Sequence, residues 1–222
     1  MNYSELVVAI SDYTENTFQT VDVNLFITQA EQRIYNSVQF PSLRKNVTGT
    51  ITASNKYLSC PNDFLAPYSL AVFPYGGGDY IYLLNKDVNF MREAYPNPTS
   101  TGTPKYYALF GPTVASSAIS NELSFILGPT PSTTYSAELH YYYYPESITT
   151  ASSGQTWLGD NFDSVLLYGA LVEAYTYMKG EQDMMALYNL KYTEALALAK
   201  RLGDGMERQD AYRSGQYRQA VT

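Results

Sequence analysis

The residue types that do chemistry are few in this sequence and far apart. Its single histidine, His140, stands beside a run of tyrosines with no second histidine and no nearby cysteine. Neither a metal site nor a histidine-activated nucleophile can be assembled around it, so a structural histidine is expected. The single cysteine, Cys60, lies in SCPNDF without an evident activating base and reads as a small buried thiol. Two carboxylate pairs, Asp160 with Asp163 and Glu181 with Asp183, have a spacing that acid–base partners could use. Each pair opens a helical stretch, however, where capping and the helix dipole already account for it. Gly76, Gly77 and Gly78 are followed by no Gly-Lys-Ser/Thr and by no helix, so they read as a turn and not as a phosphate cradle. No calcium-loop pattern occurs. The expectation is a protein that is not an enzyme, with no catalytic residue, no metal site and no cofactor.

The unusual chemistry is aromatic. The sequence holds 23 tyrosines, and the stretch LHYYYYPESITT places Tyr141, Tyr142, Tyr143 and Tyr144 in a row. In a strand, successive side chains point to opposite faces, so both faces of this strand need a partner. Rings on a sheet can stack on bases or sugars. Bases are disfavoured, because residues 41–156 carry six basic and seven acidic side chains and so offer no electropositive surface. Sugar stacking is one reading. The other is a core on one face and a subunit contact on the second, with Tyr141, Tyr142, Tyr143 and Tyr144 as the subunit-contact candidates.

The elements that must position these residues follow from the wider pattern. With 222 residues, 45% of them hydrophobic, the chain can bury a core in one large domain or two small ones. A net charge of −7 argues against a protein built to grip nucleic acid. No run approaches the length of a membrane span, and MNYSELVVAISDY lacks the flanks of a signal peptide. The lone cysteine excludes an internal disulfide and suggests a reducing compartment.

Apolar residues at Leu6, Val7, Ile10 and Tyr13 predict a helix from Tyr3 to about Glu15. A second helix, capped by Asp22 and stopped by Pro41, carries Phe26, Ile27, Ala30, Ile34, Tyr35 and Val38. From about residue 42 the texture becomes β, with expected strands over 47–52, 56–58, 68–73, 80–83, 106–110, 123–127 and 136–144. A short helix is expected over 85–94, and LGPTPSTTY reads as a turn. Helix resumes at Asp160 in a segment apolar nearly all round and closed by Gly180. A last helix over 182–202 shows one stripe of Met185, Tyr188, Tyr192, Ala195, Ala199 and Leu202.

The resulting fold class is α+β. An antiparallel helical bundle of N-terminal and C-terminal helix pairs (1–41 and 157–202) carries an inserted antiparallel β-subdomain (42–156) that emerges from one end. Residues 203–222 are expected to be an extended, mobile C-terminal tail. In that tail Arg208, Arg213 and Arg218 recur every five residues, and Tyr212-Arg213 is echoed by Tyr217-Arg218. The arginines are balanced by Asp204, Glu207 and Asp210, so interface anchoring explains them better than attraction to DNA.

Taken in order, QAEQRIYNSVQFPSLRK, YLSCPNDFL, TPKYYALFG, LSFILGPTP, AELHYYYYPESI and TWLGDNFDSVLLYGALVEAYTYMKGEQDM resemble the head-to-tail adaptors of tailed bacteriophages. The likeness is to the tail tubular or gatekeeper-type adaptor of short-tailed phages. It implies a structural virion protein at the head–tail junction, made in the host cytoplasm, forming a dodecameric ring between the portal and the tail. Its partners would be other copies of itself, the portal protein, the next tail or nozzle protein, and DNA passing through the lumen without sequence-specific binding, with no membrane contact. The C-terminal segment would dock on the portal, which makes Arg208, Tyr212, Arg213, Tyr217 and Arg218 the portal-docking candidates. The alternative function is a carbohydrate-binding β-module of a phage tail component.

Overall fold

The computed structural model describes residues 1–97, 99–111, 114–115, 118–119 and 123–215, with the backbone alone at 41, 114–115, 118–119 and 204–215. The chain is α+β, with six helices and several antiparallel sheets among the described residues. It divides into two compact units, one of Met1–Leu43 with Tyr144–Thr222 and one of Arg44–Tyr143.

The first unit is helical. Helix α1 (Tyr3–Thr14) begins at a capping box in which the Asn2 side chain accepts from the Glu5 N–H and Glu5 returns the bond to the Asn2 N–H. Helix α2 spans Thr20–Ser37 and starts earlier than Asp22 would have it. Extended Gln19 supplies the carbonyl for the first turn, and Asp22 sits inside that turn, where its charge suits the dipole without capping. The helix also ends short of Pro41, because Val38 turns extended and its side chain is buried.

The stretch expected as one helix from Asp160 is two: α4 (Trp157–Asn161), capped by Thr156, and α5 (Asp163–Met178). The break falls at Phe162, whose ring packs 5.2 Å from Phe40 and 5.6 Å from Trp157. That cluster holds Phe162 out of helical geometry, with φ −138° and ψ 47°. Helix α5 is buried around most of its circumference, and α1, α2 and α6 (Gln182–Gly215) all pack on it. Gly169 makes this possible, since a Cβ there would lie 3.1 Å from Ala30 on α2 and 3.2 Å from the Tyr192 ring on α6. Gly180 does not supply the left-handed residue that closes α5. Lys179 does, at φ 55°, while Gly180 is required because a Cβ would meet the Tyr175 ring at 2.6 Å.

On α6 the stripe of Tyr188, Tyr192 and Ala199 is buried, whereas Leu202 faces outward. The helix does not stop there. Residues 203–215, expected to be extended, continue it. Met206, Glu207, Arg208, Gln209 and Ala211 are good helix formers, so an established helix propagates through them at little cost per residue.

The second unit is a β-sandwich. One sheet has the order β1 (Arg44–Ile51), β12 (Tyr135–Tyr142), β3 (Ala66–Pro74), β4 (Ile81–Tyr82); the other is β2 (Tyr57–Ser59), β10 (Ser124–Gly128), β7 (Tyr106–Phe110), β5 (Leu84–Asn85). Between the sheets lies a core that includes Ile51, Leu70, Val72, Leu139 and Tyr141 from the first and Tyr107, Phe125 and Leu127 from the second. Helix α3 (Val88–Ala94) covers the outer face of the second sheet, burying Met91 against Ala108 and Ile126. Strand β10 is therefore apolar on both faces for a structural reason. The short strands β6 (Thr101–Gly102), β8 (Val114–Ala115), β9 (Ala118–Ile119) and β11 (Thr130–Pro131) trim the connections. LGPTPSTTY, expected to be only a turn, contains β11, which pairs in parallel with β6.

Candidate contact surfaces

The tyrosine row is not one uniform strand. Strand β12 alternates strictly, with Tyr135, Ala137, Leu139 and Tyr141 inward, and it ends at Tyr142. Tyr141 is a core residue, 1% exposed, stacked near Phe64 and donating its hydroxyl to Asp63 at 2.8 Å. Tyr143 leaves the strand and packs on the rim of the same core. Tyr144 belongs to the helical unit, where its hydroxyl donates to the Asn36 side chain beside the Tyr35 ring. Tyr144 is exposed, and Tyr142 and Tyr143 are half-buried. A single strand with two rings on each face is expected from the sequence, but the strand end at Tyr142 cannot be seen in four identical letters.

Around Tyr142 the outer face of the first sheet forms an aromatic surface. Tyr68 lies edge-on to His140 at 5.0 Å and to Tyr142 at 6.0 Å. The Arg44 guanidinium sits 4.5 Å from the Tyr68 ring centre and 5.5 Å from that of Tyr142, at cation–π distance from both. A bulge between His140 and Tyr141 re-aims this end of the sheet. On the inner side Lys45 pairs with Asp63 at 2.8 Å, and that hydrogen bond, assisted by Tyr141, holds the Asp63 carboxyl below the usual aspartate range.

The residues that chemistry would need are dispersed. His140 is a partly exposed member of the aromatic surface. Cys60 is buried, and burial pushes its thiol up to about 12, which leaves no thiolate at neutral pH. Asp160, Asp163, Glu181 and Asp183 are exposed at helix starts; Asp163 accepts the Ser164 N–H. Gly76, Gly77 and Gly78 all have positive φ and turn the chain from β3 towards β4. Among the described residues no three His, Cys, Asp or Glu side chains come together as a metal site would require. Nor is any described helix long and apolar enough to cross a membrane.

Of the portal-docking candidates, positions 208, 212 and 213 lie on the backbone of α6, and Tyr217 and Arg218 fall outside the described residues. Sequence reading missed Glu31. It stands inside the apolar stripe of α2, four residues after Ile27 and three before Ile34, which is the signal that could have marked it. The side chain is 2% exposed, accepts the Ile148 N–H at 2.9 Å, and has its carboxyl pushed up by burial.

The described residues thus form a two-unit α+β chain with an aromatic surface on the outer face of one sheet. Its sequence matches the profile of the SU10 adaptor protein family over residues 1–219, and the chain belongs to that family. It is thus a bacteriophage adaptor with a structural role in the virion, and that family is no known class of enzyme. No curated protein matches the sequence.

Proposed function

We propose that this adaptor sits between head and tail, as a ring of copies beneath the portal through which DNA passes. The family match across nearly the whole chain carries the reading. Supporting it are the separate helical and β units, read as an antiparallel bundle with an inserted subdomain, and a net charge of −7 that would guide DNA without holding it. Within that ring the outward Tyr142 and Tyr144 are the subunit-contact residues. The portal is contacted by the C-terminal segment through Arg208, Tyr212, Arg213, Tyr217 and Arg218, residue types that often anchor interfaces. The likeness to short-tailed phage gatekeepers gives the expected stoichiometry, a dodecamer, and the expected lower partner, a tail or nozzle protein. A glycan platform fits less well, because the Arg44 guanidinium already lies against the Tyr68 and Tyr142 rings on which a sugar would stack.

Ending the chain after Gly203 tests the docking role. Gly203 is itself buried, with the Gln39 carbonyl 2.8 Å from where a Cβ would stand, so the cut belongs after it. The shortened protein is expected to melt near the wild-type temperature and to lose binding to portal particles in a co-sedimentation assay. Wild-type binding by the shortened chain would refute the assignment.

A further inference from the structure

The β-unit has two unlike sides. On one, β1 and β2 are the edge strands of their respective sheets. The eight residues of β1 pair with β12 along one edge and with no other strand among the described residues. Its length, its β-forming Val47, Thr48 and Thr50, and the lack of a proline make it the kind of edge that proteins normally cover. Between β1 and β2 the sandwich opens into a groove of about 320 Å³, walled by Val47, Gly49, Leu58, Cys60, Ala137 and Leu139.

On the opposite side the chain crosses from β4, the far edge of the first sheet, directly into β5, the far edge of the second. This YIYLL segment is a ridge of exposed apolar side chains, with Tyr82 67% and Leu84 60% exposed and Tyr80 and Ile81 also open. A groove bordered by one edge from each sheet therefore has its counterpart in a ridge that spans one edge of each sheet. Charge does not oppose their meeting. Arg44, Lys45 and Lys56 outnumber Asp63 on the groove side, while Asp79 and Asp87 balance Lys86 and Lys105 on the ridge side.

We infer that the ridge at residues 80–84 of one copy seats in the β1–β2 groove of the next, adding backbone pairing along β1 as its side chains fill the gap. Such a contact joins two different surfaces, so it repeats head to tail and closes into a ring when the rotation permits. The inference deepens the ring reading by naming which surfaces meet.

Two variants separate it from other contacts. Gly49→Leu fills the groove from within; a Cβ at position 49 meets nothing within 4 Å, and a strand tolerates leucine better than glycine. The double substitution Tyr82→Ser and Leu84→Ser strips the ridge at exposed positions. Sedimentation of the full chain up to a concentration on the order of 1 mM is expected to show self-association of the wild type, and each variant alone should lose it by at least tenfold in Kd. Mixed together, the two variants should form a one-to-one pair and nothing larger, because only one intact ridge and one intact groove remain to meet. Thermal melts confirm that both variants are folded, and Val47→Ser with Leu84→Ser takes their place if either is not.

Wild-type-like association by both variants, or a mixture that gives no pair, overturns the edge assignment and leaves portal docking untouched. A wild-type chain that stays monomeric throughout also overturns it. Wild-type portal binding by the shortened chain in the separate co-sedimentation assay bears on the adaptor reading alone.

Discussion

A carboxyl group in an apolar stripe has a definite cost, and Glu31 is the case in point. Because burial raises its pKa in the fold, the native state holds its proton more tightly than the unfolded chain does. The stability this contributes is complete below the ordinary glutamate range and is lost as pH rises through the folded pKa. At neutral pH the charge is a burden, so Glu31→Gln, which keeps an acceptor for the Ile148 N–H, should raise the melting temperature there and flatten its pH dependence. Glu31→Ala should instead lower stability by about 1–3 kcal/mol, since it leaves a buried donor unpaired. Denaturant titrations at several pH values check both. Tyr141 calls for a similar comparison. Tyr141→Phe removes the hydrogen bond to Asp63 at a cost of about 1 kcal/mol, while Tyr141→Ala opens the core and should cost about 3–5 kcal/mol. An interface residue would behave otherwise, weakening assembly with little effect on the melting of a single copy.

At the scale of the element, helix α5 ends in a way that its sequence disguises. Lys179 takes the left-handed conformation that glycine adopts without penalty, and the neighbouring glycine is committed to a close approach to Tyr175. Lys179→Gly should therefore stabilise the protein by about 0.5–1 kcal/mol, read as a shift in the denaturation midpoint, whereas Gly180→Ala should destabilise it. The same logic explains β12. Its alternation of Tyr135, Ala137, Leu139 and Tyr141 was legible as a period of two, but its end at Tyr142 was not, because the letters on either side are identical. The partner of Arg44 across the sheet is Tyr142, so the strand stops where the β-unit itself stops.

For the whole molecule, that pairing has a consequence. Arg44 opposite Tyr142 brings the two ends of the β-unit side by side, and the unit has its own core of buried residues from both sheets. Residues 44–143 expressed alone should fold cooperatively, with dispersed amide resonances and a single melting transition. A chain that shows neither would refute independent folding of the β-unit. Helical burial has a different source. Tyr13, Tyr168 and Tyr175 surround the Tyr188 ring, and burial pushes the Tyr188 phenol up to about 12. Tyr35, Tyr188 and Tyr192, three of the tyrosines that suggested β-structure and interfaces by their number, thus serve a helical core.

By itself the sequence determined the order of helix, β and helix, the buried stripe of α2 and the span of β7. These depend on the side-chain periods of helix and strand and on residue types, and both are local. Tertiary structure decided the rest: the break at Phe162, drawn from helical geometry by the Phe40 and Trp157 rings; the pairing of β11 with β6; the covering of β10 by α3; and the facing of Tyr142 outward while Tyr141 points in. Each of these depends on a partner distant in sequence, and no local pattern encodes the identity of that partner. The groove beside Gly49 and the ridge at Tyr82 are of the same kind, since they exist only once two sheets stack with β1 and β2 at one pair of edges and β4 and β5 at the other, among the described residues.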